Sequence, residues 1–186
     1  TAYFHQPDDV PAKPRVSGFS SGNLDQIEQL EPDLVVTFSD VQTTLAAKLI
    51  QRGFPVLATN QRTLAETETT LALLARVVDR AGEGEACLNE FRRRLAPAGK
   101  TGKRPRVYFE EWNDPLIAGI AWVSELIERA GGEDMFAGLR EKKPPSERVV
   151  SSERLCCAPP ALLFASWCGR PVSVPAIATR PGWNEL

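Results

Sequence analysis

Apolar positions recur at helical spacing through Thr63–Ala98 (TLAETETTLALLARVVDRAGEGEACLNEFRRRLAPA) more persistently than anywhere else in the chain. Leu64, Leu71, Leu74, Ala75 and Val78 form one stripe, and Cys87, Leu88, Phe91 and Leu95 form a second. Thr63 and Glu66 have capping-box spacing, in which the hydroxyl and the carboxylate satisfy amides that a helix start leaves unpaired. Gly82 and Gly84 are expected to interrupt the helix and Pro97 to close it. This stretch predicts a helical connector between two similar halves.

In the first half, prolines 7, 11 and 14 give residues 1–15 the character of extended coil, and Val16–Ser21 is a short strand or loop around Phe19. Asn23 is positioned to cap a short helix over Leu24–Leu30. The apolar, β-branched run Leu34–Phe38 has the pattern of a strand buried on both faces. A helix is predicted at about Thr43–Arg52, stopped by Gly53, then a strand at Val56–Ala58 with Asn60-Gln61 as its exit loop. In the second half the pattern predicts a strand over Arg106–Glu111 with Trp112–Pro115 as a loop leaving its end. A helix is expected over Trp122–Ala130, a short helix capped by Ser151 or Ser152, and a buried strand at Ala161–Ser166. Trp167-Cys168-Gly169 is that strand's exit loop, and Arg180–Trp183 is a turn leading towards a further helix. Strands alternating with helices predict α/β architecture with parallel sheets.

The halves share offsets. From Asp25, an aliphatic residue follows at Ile27, a proline at Pro32 and an apolar strand from Leu34; from Glu153 the same offsets give Leu155, Pro160 and Leu162. Any helix–turn–strand unit of an α/β protein shares part of this pattern. The expected organisation is an N-terminal lobe at 1–62, a helical connector and linker at 63–104 and a C-terminal lobe at 105–186. The first lobe is read as lacking its first strand and helix, and the second as lacking its last helix, as in a fragment of a longer chain.

At 186 residues and 42% hydrophobic, the sequence can bury a core, and a net charge of −2 gives no general attraction to nucleic acid or anionic lipid. No run of 18 apolar residues is present, and the polar, proline-rich opening does not read as a signal peptide. Cys87, Cys156, Cys157 and Cys168 include no C-x-x-C spacing, so neither a disulfide framework nor a zinc site is expected. A cysteine–histidine nucleophile finds only His5, in the proline-rich leader. Gly99-Lys100-Thr101 imitates the end of a phosphate-binding loop, but Arg94 stands where that motif needs glycine. Glu110 and Glu111 are adjacent on a strand and point to opposite faces, so only one can enter a given site. Ligands of parallel α/β sheets bind at the carboxyl ends of the strands. Those ends carry Phe19, Phe38, Asp40, Asn60, Glu111, Trp112, Trp167 and Cys168. Trp112 and Trp167 suit a flat, partly apolar ligand, or else pack their own loops. Asp40, Asn60 and Glu111 would fix its orientation, with Cys168 as a small neighbour.

The stretch VYFEEWNDPLIAGIAWVSELIERAGGEDMF, together with NLDQIEQLEPDLVV, SWCG and RPGW, resembles the cobalamin and iron–siderophore class of ABC-transporter substrate-binding proteins. Within that class the F-E-E-W…P-L-I…W-V-S-E-L pattern is most similar to the cobalamin-binding subgroup. The resemblance implies two parallel-sheet α/β lobes joined by one long helix, with the ligand in a cleft between them. It implies no catalysis and no resident cofactor or metal. The ligand would be cobalamin or a related large cofactor, the partner an ABC permease with its ATPase, the location periplasmic or extracytoplasmic, and the protein a monomer. Phe19 and Trp167 map onto cleft aromatics, and Asp25 and Glu153 onto acids that dock into arginine pockets of the permease. Within the same fold the alternative ligands are a ferric siderophore or haem. Haem generally needs a tyrosine or histidine, and Tyr3, His5 and Tyr108 are poorly placed for it. An enzyme centred on Glu110, Glu111 or Cys168 is the remaining alternative.

Overall fold

A computed structural model describes residues 13–96, 102–168 and 170–183. The leader up to residue 12, Gly99-Lys100-Thr101 with most of the expected linker, Gly169, and the residues after Trp183 lie outside the described residues. The chain divides into two compact units, Thr1–Gln61 and Arg62–Leu186.

The first unit contains α1 (Leu24–Gln29), β1 (Val35–Phe38), α2 (Thr43–Gln51) and β2 (Val56–Thr59). Asn23 caps α1 through its side-chain oxygen, which accepts from the Gln26 amide at 3.1 Å. The strands pair in parallel, Val35 with Val56 through Phe38 with Thr59. The core forms where Leu45 and Leu49 of α2 meet Ile27 of α1, with Val35, Phe54 and Val56 packed alongside. Only one face of β1 is covered, because Val36 and Phe38, two residues apart on the same face, remain exposed. The strand expected to be buried on both faces is therefore half-exposed.

In the second unit the helical signal resolves into α3 (Leu64–Val77) and α4 (Ala81–Arg94) instead of one interrupted helix. The chain reverses at Val78–Arg80, four residues before the expected break. Asp79 takes a left-handed conformation (φ 53°), its amide donates to the Arg76 carbonyl at 3.1 Å, and the Arg80 amide donates to the Ala75 carbonyl at 2.7 Å. This is a Schellman C-cap with aspartate where glycine is usual. The two helices then pack antiparallel: Arg92 pairs with Glu68 at 2.7 Å, and Gly84 lies against Ala75. A Cβ on Gly84 would fall 2.2 Å from that of Ala75, so this glycine permits close helix packing within α4 and does not break it. The expected capping box is present. Thr63 Oγ1 accepts from the Glu66 amide, the Glu66 carboxylate accepts from the amides of Arg62 and Thr63, and these bonds hold its pKa below the usual range.

The remaining elements are β3 (Arg106–Asn113), β4 (Leu116–Ala118), α5 (Ala121–Arg129), β5 (Glu133–Asp134), α6 (Ser152–Cys157), β6 (Leu162–Ala165) and α7 (Val174–Ala178). β3 is central: β6 runs parallel along it, β5 pairs in parallel at its start, and β4 folds back antiparallel on its end. The expected loop at Trp112–Asn113 is thus strand, with a register shift between Glu110 and Trp112. Such an irregularity re-aims side chains near the strand's end. One core cluster gathers Tyr108, Phe136, Leu155, Trp167, Ile177 and Trp183, and a second packs Val107 against Val123 and Ile127 of α5, with Trp122 beside them. β6 is not fully buried, since Leu162 and Phe164 are exposed on one of its faces.

Candidate functional site

Each unit has a carboxyl edge where its parallel strands end, and the expected ligand-binding residues divide between the two edges. In the first unit, a bridge between Ser17 and Gly22 closes a tight loop that carries Phe19. Gln42, in the 3-10 turn Asp40–Gln42, ties this loop to the strand end. Its Nε2 donates to the Phe19 carbonyl at 2.9 Å, and its Oε1 accepts from the Phe38 amide at 2.8 Å. Phe19 and Phe38 are thereby held near one another at 47% and 38% exposure. Ser39 adopts φ 59°, donates its amide to the Thr59 carbonyl at 2.7 Å and accepts from the Val41 amide at 3.3 Å. This left-handed residue turns the chain out of β1 while keeping its amide paired with the neighbouring strand. Asp40 opens the 3-10 turn and Asn60 follows β2 directly; both are exposed. Gln42 had no local signal in the sequence, since a glutamine ahead of a helix reads as an ordinary solvated residue.

The second unit's edge is organised by charge. Glu110 is fully buried, and Arg180 grips it in bidentate fashion at 2.6 and 2.8 Å. The same carboxylate accepts from the Trp167 indole at 2.8 Å. Trp167 is therefore a core residue, at 8% exposure, and not the open stacking surface that the resemblance implied. Its polar edge is satisfied inside the protein, as a buried indole requires. Trp183 stacks on Arg180 at 4.5 Å and meets Tyr108 edge-on. Burial, with the negative charge of Glu110 second, pushes the Tyr108 phenol far up. That environment removes Tyr108 as a surface ligand for haem iron, while Tyr3 and His5 lie outside the described residues.

Glu111, half-buried, pairs with Arg148, which is 1% exposed, at 2.5 and 3.1 Å; Arg148 also donates to the Ala118 carbonyl. Cys168 is half-buried beside this pair. Burial raises its thiol pKa, the Glu111 charge adds to the rise, and Arg148 opposes it. Trp112 is half-buried, with its indole donating to the Asp114 carbonyl at 2.9 Å and Arg170 stacked over its ring at 4.9 Å. Neither Arg148 nor Arg180 carries a local signal of function in the sequence, although Arg180 begins the RPGW motif. Their carboxylate partners lie 37 and 70 residues away. Among the described residues no group of three or more His, Cys, Asp or Glu could hold a metal, and no helix is long and apolar enough to cross a membrane.

The two acids expected to dock onto a permease sit at equivalent places. Asp25 and Glu153 are each the second residue of a six-residue helix, α1 and α6, with a side-chain cap from Asn23 or Ser151 just ahead. Asp25 is paired with Arg52 at 2.8 Å, and Arg52 also reaches Glu28 at 3.0 Å. Among the described residues Glu153 makes no ion pair.

Residues 2–186 match the sequence profile described as periplasmic binding protein. The chain belongs to this family. It is 26% identical over 185 aligned positions to the vitamin B12-binding protein of Vibrio parahaemolyticus, covering 91% of this chain and 66% of that relative. The crystal structure of the periplasmic vitamin B12-binding protein of Vibrio cholerae superposes with a TM-score of 0.68 at 24% identity, over 87% of this chain and 64% of that one. S. aureus IsdE, solved in complex with heme, gives 0.73 at 17% identity, over the whole of this chain and 75% of its own. These likenesses fix the two-lobed α/β fold. The chain spans about two thirds of the length of the two B12-binding proteins.

Proposed function

We propose that this chain is the substrate-binding component of an ABC importer, capturing cobalamin or a related large cofactor in the periplasm and presenting it to a permease. The observation that carries this reading is the similarity to vitamin B12-binding proteins along 91% of the chain. The edge chemistry supports it. Phe19 and Phe38 offer exposed aromatic surface held in place by Gln42, and burial of such surface supplies affinity without any reacting group. Glu110 and Glu111 are each held by an arginine fork, and Cys168 has a raised pKa, so neither carboxylate nor thiol is poised as a base or nucleophile. In this reading Asp25 and Glu153 meet the permease. A heme cargo is the second reading, favoured by the likeness to IsdE and disfavoured by the burial of Tyr108.

Titration of tryptophan emission with cyanocobalamin, haemin and a ferric siderophore, corrected for absorption by the ligand, tests the reading. All four tryptophans lie in the second unit, so quenching reports a ligand near that unit. Saturable quenching by cyanocobalamin, weakened about 10-fold by Phe38→Ala through lost aromatic contact, is the expected result. Saturation by haemin alone changes the cargo, and no saturation by any of the three overturns the proposal.

A further inference from the structure

The carboxyl edge of the second unit holds three arginines in different states. Arg180 is engaged by Glu110, and Arg148 by Glu111 and the Ala118 carbonyl. Arg170 is exposed and, among the described residues, makes no ion pair, even with Asp114 at the nearby β3–β4 turn. The two pairs satisfy one another, which leaves Arg170 as the arginine of this edge with no carboxylate partner among the described residues.

Its position is fixed by a closed circuit of contacts. Glu110 and Trp112 lie two residues apart on β3. Glu110 anchors the Trp167 indole, and a turn closed by the Arg170 amide donating to the Trp167 carbonyl at 3.2 Å brings Arg170 back. There its guanidinium lies over Trp112, whose ring is itself fixed by the hydrogen bond to Asp114. A guanidinium held over a ring face makes no N–H···O bond in that contact, so its planar fork of donors stays available to match a phosphate or carboxylate. A solvated surface arginine has no such pre-organisation, and orienting it on binding costs side-chain entropy.

We propose that Arg170, stacked on Trp112, is a specificity-determining residue that takes an anionic oxygen group of the bound ligand, a phosphodiester or a carboxylate. This rests on the reading of the chain as a cofactor-binding protein and adds a charge requirement to it. Cobalamin carries a phosphodiester in its nucleotide loop, cobinamide lacks that loop, and haemin carries two propionates.

Isothermal titration calorimetry of the full chain tests this with cyanocobalamin, dicyanocobinamide, haemin and haemin dimethyl ester against wild type, Arg170→Gln and Arg170→Lys. The expected result is a loss of about 10- to 100-fold in cyanocobalamin affinity for Arg170→Gln, as for other hydrogen bonds to charged groups, with cobinamide affinity retained. Arg170→Lys keeps the charge without the planar fork and falls between. Salt should weaken wild-type binding of cyanocobalamin more than that of Arg170→Gln. Equal losses for both corrinoids, or no loss for either, overturn the proposal; equal losses mean that Arg170 only props Trp112. If wild type binds haemin and neither corrinoid, the cobalamin reading fails. The Arg170 assignment then survives only if Arg170→Gln loses haemin and keeps the dimethyl ester. Binding of none of the four overturns both.

Discussion

The two carboxyl edges begin from the same unit and diverge in what fastens them. In each, a capped six-residue helix with an acid at its second position leads through a proline to a four-residue parallel strand, α1–β1 in one and α6–β6 in the other. The first edge is fastened by one neutral amide: Gln42 joins the Phe19 loop to the end of β1 and leaves both phenylalanines exposed. The second is fastened by two carboxylate–arginine forks, and its most prominent aromatic, Trp167, is drawn inward as a donor to Glu110. A neutral staple holds aromatic surface in place without burying it. A buried carboxylate demands donors, and it recruits the aromatic together with the arginine. One edge is thus built for apolar contact and the other for rigid presentation of a few polar groups.

The largest expected effect separates these two fastenings. Glu110→Ala leaves Arg180 without its partner and strips Trp167 of its acceptor, and breaking a buried pair in this way costs about 3–5 kcal/mol. Gln42→Ala removes two exposed neutral hydrogen bonds and costs about 1 kcal/mol. Urea unfolding followed by tryptophan emission for Glu110→Ala, and by far-ultraviolet circular dichroism for Gln42→Ala, measures both. Comparable losses in the two variants would mean that the charge network does not dominate the second edge.

A smaller effect concerns pH. The Cys168 and Tyr108 pKa values are both raised, chiefly by burial. When the folded pKa exceeds the unfolded one, the stabilisation is complete below the unfolded value and is lost as pH climbs towards the folded one. The second unit should therefore lose stability above the ordinary cysteine and tyrosine values, about 8.5 and 10. Residues 13–61 contain neither residue type, so this described part of the first unit should not contribute to the alkaline loss. Thermal melts by tryptophan emission across that range, with Cys168→Ala and Tyr108→Phe as controls, should show the fall diminish in each variant. An unchanged fall in both would assign it to other groups.

Much of the fold was legible because its signals are local. Asn23, Ser151 and the Thr63–Glu66 box cap the helices expected of them, and the apolar runs mark the strands. The α3–α4 reversal falls ahead of Gly82 and Gly84 because the left-handed residue is Asp79, while Gly84 serves packing. Phe19, Phe38 and Trp167 all lie at the strand ends that strand order gives them, but the Trp167 side chain turns inward, because its orientation depends on Glu110 and Arg180, both remote in sequence. Trp112 read as loop because an Asn-Asp-Pro turn follows it, while pairing with β4 carries β3 through to Asn113. Exposure of one face of β1 and of β6 had no sequence signal either, since Val36, Leu162 and Phe164 look like core.

The smallest effect expected bears on the proposed docking of Asp25 and Glu153 to a permease. Asp25 and Glu153 are equivalent in their helices, but Arg52 already answers Asp25 and shares itself with Glu28, while Glu153 makes no ion pair among the described residues. An acid that meets a permease arginine must first give up its own partner, so part of the gain at Asp25 is an exchange of one exposed pair for another. Glu153→Ala should therefore slow association with the permease more than Asp25→Ala, and Arg52→Ala should restore part of the difference by freeing Asp25. Surface plasmon resonance on the reconstituted transporter at two salt concentrations measures this, because exposed charges act mainly on the association rate and are screened by salt. Equal losses at both acids, unaffected by Arg52→Ala, would mean that the Arg52 pair opens freely before docking and that the two acids are equivalent in it.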